Sequence, residues 1–308
     1  SKWGIYGGSK FNIGGTYKEG SSFITVNNSQ INGDIRGGAG VFGSDITLSA
    51  GTTSVRVENS QISGYDQGGS TWQGRIFGNG LMEKAENSSM YYAESSVFIG
   101  DNVFGVTVDK DTGTITHKPG TAVYGASQLS SAINSISTTG KTSVTVTGGN
   151  TELEEVYGGG IISGTRRKDQ LSTIVVGQSE VTINSGLVSA QVVGGNISNF
   201  FGYSVIGTAS EDGLIEFNGQ RYDEGSTHVT INGGDLNSAF VFGGSYADWG
   251  WYAMNAGSTE STSERTAIVV GKSTVDINGG SIQVVVGGGG AVISTPAGDT
   301  YAPGSNSP

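Results

Sequence analysis

The 308-residue chain has no cysteine, only four prolines, two histidines and 14% charged residues. Without cysteine there are no disulfides, no thiolate metal centres and no cysteine nucleophile. That suits a bacterial surface protein crossing a periplasm, and equally a cytosolic one. Scarce proline argues against collagen and against a proline-rich disordered chain. With so few charges the surface must be built mostly of Ser, Thr, Asn, Gln and Gly, a composition of extracellular β-structure. The charges present are unbalanced, 27 acidic against 16 basic, for a net −11 and a pI near 4.6. Such a surface repels a phosphate backbone, so nucleic acid is not an expected partner, and it is a poor match to anionic membranes. No signal peptide and no run of about 18 apolar residues occurs, so no membrane insertion of this fragment is expected. An exported protein would appear here in a mature or trimmed form.

What the chain has in excess is glycine, 54 residues, well over twice the usual share of roughly 7%. The glycines fall at fixed offsets after Val/Ile/Tyr/Phe runs, so they read as corners rather than as a flexible linker. The clearest stretch is Ala267 to Gly290. It holds three short β-rich runs, Ala267–Val270, Thr274–Ile277 and Ile282–Val286, each closed by glycine or an Asn-Gly-Gly corner. Weaker copies recur. Val229-Thr-Ile-Asn-Gly-Gly234 leads to Val241-Phe-Gly-Gly-Ser245, Val181-Thr-Ile-Asn184 to Val192-Val-Gly-Gly195, and Val144-Thr-Val-Thr147 to Val156-Tyr-Gly-Gly159. Earlier ones are Ile24–Asn28 with Ile35-Arg-Gly-Gly38, Val55–Asn59 with Ile76-Phe-Gly78, and the opening Trp3–Ser9. Between Trp72 and Thr139 the pattern lapses to the partial copies Val97–Gly100 and Ala122–Gly125.

Alternation in each run puts Val and Ile on one face and Thr, Ser, Asn or Asp on the other. One unit is too thin to bury its apolar face, whereas stacked units bury a continuous core, each strand bonding to its equivalent about 4.8 Å away. The expected fold is all-β: a single-stranded right-handed parallel β-helix, or β-solenoid, over 1–295, with an irregular inserted region about 72–139 and a Gly/Pro/Ser tail at 296–308. A propeller would need antiparallel hairpins within each blade, and most of these runs are joined by glycine corners instead. Asn27, Asn184, Asn232 and Asn278 share one place in the repeat and would stack, in a ladder interrupted at Glu58 and Thr147.

Excursions separate the repeats. Val106–Ile115 predicts a bulged hairpin, and Ile215–Tyr222 predicts a tight one around Asn218-Gly219. Two further excursions are aromatic. One carries Tyr246, Trp249, Trp251 and Tyr252, the other Phe200, Phe201 and Tyr203. Such side chains stack on sugar rings or anchor a protein interface, or fold down over an apolar flank. Asp109 and Asp111 have the spacing that begins a calcium loop, but Gly120 stands where the late glutamate is wanted; a plain hairpin turn accounts for them. Otherwise no metal or cofactor is implied. Acidic and basic candidates for polysaccharide chemistry (Asp223 and Glu224 beside Arg221, Glu154, Glu155, Asp235, Asp276) fall at different places in successive repeats. His117 and His228 are far apart, and no G-x-S-x-G motif supports serine chemistry.

The sequence V-T-I-N-G-G … V-F-G-G-S, with A-I-V-V-G-K-S-T-V-D-I-N-G-G, resembles the glycine-rich repeats of bacterial autotransporter passenger domains and related surface adhesins. The resemblance covers about two thirds of the chain. It implies a right-handed parallel β-helix presented outside the cell, secreted or on the bacterial surface, without the translocating barrel. The expected role is non-catalytic: an adhesin-type passenger or a self-assembling structural subunit. Its partner would be a host or neighbouring-cell glycan or protein, or copies of itself head-to-tail. The rival reading is a pectate-lyase-like enzyme acting on polysaccharide.

Overall fold

The computed structural model describes residues 4–64, 66–67, 70–71, 74–108, 114–117, 120–163, 171–198, 202–217, 219–248, 265–287 and 292–293. Every regular element among them is a β-strand; no helix occurs. Most strands pair in parallel within three sheets of 12, eight and ten strands.

The chain visits these sheets in rotation. Asp34–Arg36 lies in the first sheet, Gly40–Val41 in the second and Ile46–Glu58 in the third, after which Ser60–Ser63 and Arg75–Phe77 return to the first. Each strand pairs with its equivalent one circuit on: Arg36 with Phe77, Val41 with Met82, Val55 with Val97. One column of the first sheet therefore runs Tyr6, Arg36, Phe77, Tyr124, Tyr157, Val193, Phe242, Val286. We call each circuit a rung.

Strands between 72 and 139 pair within the same three sheets. Ser89–Ile99 pairs in register with Ile46–Glu58 on one side and Ile136–Val146 on the other. The pattern is hidden there because the inward positions are Met90, Tyr92, Ala126 and Ala132 as well as Val and Ile. Strands of the third sheet are also longer than the runs suggest. Ile136–Val146 and Thr173–Ile183 pass straight through Gly140 and Gly177. A Cβ at Gly177 would come within 3.0 Å of the Gly140 carbonyl oxygen, and one at Gly140 within 3.0 Å of that of Ala93.

Each long strand serves two cores. Its C-terminal half (Val55, Val57, Val97, Ile99, Val144, Val146) packs on Ile35, Ile76, Val123 and Val156 of the first sheet. Its N-terminal half (Ile46, Leu48, Met90, Tyr92, Ile174, Val176) packs on Val41, Met82, Leu129 and Ile162 of the second. Between the cores lies a buried hydroxyl column, Thr53, Ser95, Thr142, Ser179 and Thr227. Ser179 Oγ and Thr227 Oγ1 donate to the carbonyls of Gly194 and Gly243, each at 2.5 Å. These two hydroxyls thus satisfy carbonyls that the turn from first to second sheet leaves over, whereas Thr53 donates to Asn79 Oδ1 at 2.6 Å.

That turn explains the diglycines. Gly7, Gly37, Gly78, Gly125, Gly158, Gly194 and Gly243 form a column in which a Cβ on each would lie under 3.0 Å from the carbonyl oxygen of the glycine one rung on. The residue is glycine here because the neighbouring backbone fills the space; none of the seven has positive φ. Left-handed backbone is used at other corners, by Asn28, Asn59 and Asn102, with φ of 50°, 47° and 55°.

Both expected hairpins form. Val103–Val108 pairs antiparallel with Ile115–His117, and Ile215–Phe217 with Gln220–Asp223 around Gly219 at φ 73°. A third, Asp66–Gln67 with Ser70–Thr71, carries Gly68-Gly69 between its strands.

Candidate functional site

The first sheet has a flank opposite its core. Residues such as Ile76, Val123 and Val156 point inward, so their successors Phe77, Tyr124 and Tyr157 point outward. They are nevertheless buried, because Ile161, Ile197 and Tyr246 of the second sheet pack over them. The rings stack at the rung spacing: Phe77 on Tyr124 at 4.7 Å and Tyr124 on Tyr157 at 4.8 Å, nearly parallel. Burial pushes the phenols of Tyr124 and Tyr157 well above the ordinary tyrosine range, and Glu155 nearby adds to it.

Arginine interrupts this column. Arg36, 2% exposed, lies over the Phe77 ring with its guanidinium carbon 4.3 Å from the centroid. It pairs with Asp34, two residues back on the same strand, and donates to Gln128 Oε1 at 2.7 Å. Arg75, one rung on, reaches the same carboxylate through Nη2 at 3.1 Å and its backbone N–H at 3.0 Å. Burial works against the charge on Asp34, but Arg75 and then Arg36 outweigh it and hold the carboxyl below the ordinary range. Asp34 is committed to two arginines, so it is neither a spare base nor a proton donor at neutral pH. The cluster is a structural device. The sequence reading missed it: its trace was an arginine at Arg36, in a position otherwise aromatic or Val, while Arg75 stood behind an excursion.

The residues proposed from sequence have different fates. Tyr246 is buried (7% exposed) and stacks on Phe242 at 5.4 Å. Its ring packs with Phe242 on the covered flank of the first sheet. Tyr203 is half-buried on Gly202–Ile206, in register with Thr173 and Thr266. Trp249, Trp251, Tyr252, Phe200, Phe201, Asp109 and Asp111 lie outside the described residues. The acidic candidates stay dispersed: Glu155 accepts from Gln191 at 2.9 Å, Arg221 donates to the Gly213 carbonyl at 2.8 Å, and Asp276 bonds to His228 at 2.7 Å on an exposed face. Among the described residues no three His, Asp or Glu side chains come together as metal ligands.

The asparagine corner forms two ladders. Asn59 Nδ2 donates to Asn27 Oδ1 at 3.1 Å and Asn102 Nδ2 to Asn59 Oδ1 at 2.9 Å. Asn232 Nδ2 donates to Asn184 Oδ1 at 2.7 Å and Asn278 Nδ2 to Asn232 Oδ1 at 2.8 Å. The expected interruption at Glu58 does not occur, since Asn59, one residue on, supplies the amide. The break falls at Thr147-Gly148-Gly149, where Asp101 Oδ1 accepts from the Gly149 N–H instead.

Among the described residues, exposure rises at the first and last strands of the sheets. Val285 continues the column of Ile35, Ile76, Val123, Val156, Val192 and Val241, all fully buried, yet is 42% exposed. Ile277 ends the column of Val57, Ile99, Val146, Ile183 and Ile231 and is 48% exposed. At the other end Ile5, Ile24 and Ile31 are only half-buried. Compared with protein-family models, with curated proteins and with solved structures, the chain matches none.

Proposed function

We propose that the chain is a right-handed parallel β-solenoid serving as a non-catalytic structural and adhesive protein of a bacterial surface, secreted or cell-attached. The observation that carries this reading is the exposure of Val285 and Ile277 at the end of columns buried in every inner rung. Apolar positions exposed in this way favour the addition of further strands, from this chain or from another. The uncharged Ser/Thr/Asn surface and the aromatic segments at 199–203 and 246–252 suit contact with glycans or proteins on a neighbouring cell.

The rival lyase reading needs acidic and basic groups free on an open face, whereas Asp34, Arg36 and Arg75 are occupied with one another. The test incubates the protein with polygalacturonate, with and without calcium, beside a glycan array. Unchanged polymer length is expected, with retention on cell-surface glycans reduced about tenfold in Trp249→Ala/Trp251→Ala, as for loss of a stacking hot spot. Depolymerisation would replace this reading with the enzyme.

A further inference from the structure

We propose that Arg36 holds a small monovalent inorganic anion, such as chloride, through its Nη1. The site lies in the covered flank of the first sheet and is independent of the adhesive reading.

The argument begins with donors. Arg36 is 2% exposed, and its two terminal nitrogens are used unequally. Nη2 donates to Asp34, and to Gln128 Oε1 at 2.7 Å. Nη1 is buried and has no acceptor among the described residues. It carries two N–H groups, and a buried donor left unpaired costs more than an ordinary hydrogen bond returns. The acceptors beside it are committed. Asp34 Oδ2 takes the Nη2 atoms of both arginines, and its Oδ1 takes the Arg75 backbone N–H at 3.0 Å and Nε at 3.4 Å. Gln128 has no second oxygen to offer, because its Nε2 donates to Ser163 Oγ at 2.8 Å. An acceptor from solution completes the set.

Charge decides whether that acceptor is neutral. Arg36 and Arg75 are always protonated and share one carboxylate, so the cluster carries one positive charge in excess. Two more charges stand close by. Lys10 Nζ lies 5.1 Å from the centre of the Tyr6 ring, over which the Arg36 guanidinium carbon lies at 5.9 Å. Glu83 acts on both Tyr6 and Arg75. Three cations, Lys10, Arg36 and Arg75, thus face two carboxylates, Asp34 and Glu83. The Phe77 and Tyr6 rings offer the guanidinium only the partial negative charge of their faces. Water would satisfy the N–H groups and leave the excess charge buried, which is strongly unfavourable. One monovalent anion satisfies both, whereas a divalent one would overshoot.

Thermal unfolding of the full chain is followed in sodium chloride and in sodium gluconate of equal ionic strength, gluconate being too bulky for a buried site. An anion bound only by the folded state stabilises it by mass action. Each tenfold rise in chloride above its Kd should therefore lift the midpoint by about 2 °C relative to gluconate. Arg36→Met removes Nη1 and leaves Asp34 and Arg75 as a neutral pair. Its midpoint should fall, but the readout is the difference between the two salts, which should vanish. Two milder variants serve even where Arg36→Met does not fold. Lys10→Met should weaken chloride binding and Glu83→Gln should tighten it, each about fivefold, and a bound water would respond to neither. Crystals grown in bromide should show an anomalous peak against Nη1. Equal midpoints in the two salts, or a difference that survives in Arg36→Met, overturns the proposal. So does a site holding water alone, or a bromide peak without any chloride dependence in solution, which would be an adventitious ion only.

Discussion

Asp34 answers to two arginines, and the energetics of that cluster turn on its charge. Asp34→Asn would leave Arg36 buried against Phe77 without an anion, a change that costs about 3–5 kcal/mol when one member of a buried pair is removed. The sign of the pH dependence follows from the depressed carboxyl. A folded-state value below the unfolded one, near 3.9, means the contribution is complete above that value and is lost as pH falls through the folded one. The gap in stability between the wild-type protein and Asp34→Asn should therefore be largest at neutral pH and narrow in strong acid. Urea unfolding at neutral pH and near pH 3 measures it; a gap constant across that window would deny the charge its role. Residue types announced little of this. Asp34-Ile35-Arg36 is visible as a tripeptide, but that Arg75 arrives beside it depends on a hairpin excursion of unforeseeable length.

At the scale of the element, glycine and strand length tell different stories. The diglycines were legible as corners, but the reason for the first glycine was not. It is the carbonyl of the next rung, a neighbour dozens of residues away in sequence. Gly158→Ala would press a methyl on the Gly194 carbonyl and bring it 2.9 Å from Val181 Cγ2, an overpacking of about 1–3 kcal/mol or more. Gly149→Ala, whose methyl would meet only Asp101 Oδ1 at 4.0 Å, should stay within about 0.5 kcal/mol of wild type. Thermal unfolding of the two variants decides the matter, and equal losses would contradict the close-approach account. The ladder was legible for Asn27, Asn184, Asn232 and Asn278. Asn59 and Asn102 were missed because they sit one residue beyond Glu58 and two beyond Gly100, the aligned corner positions, in left-handed backbone.

For the whole molecule, stacking makes stability a sum over neighbours, so inner rungs, bonded on both sides, should outlast the ends. Hydrogen exchange should then be slowest at Val123 and Val156, inside the stack, and fastest in Gly4–Tyr6 and Ser281–Val286, at its margins. Uniform protection along the chain would show a single cooperative block instead. Sequence alone determined that the chain is all-β, that its apolar residues alternate, that corners recur and where two hairpins turn, because those follow from local periodicity and turn chemistry. Only the tertiary structure decided that hydroxyls can face inward, that Tyr246 is covered and that Asp34 meets two arginines. Each of these depends on which residue one rung away fills the adjacent space, and the variable excursions hide that pairing from any reading along the chain.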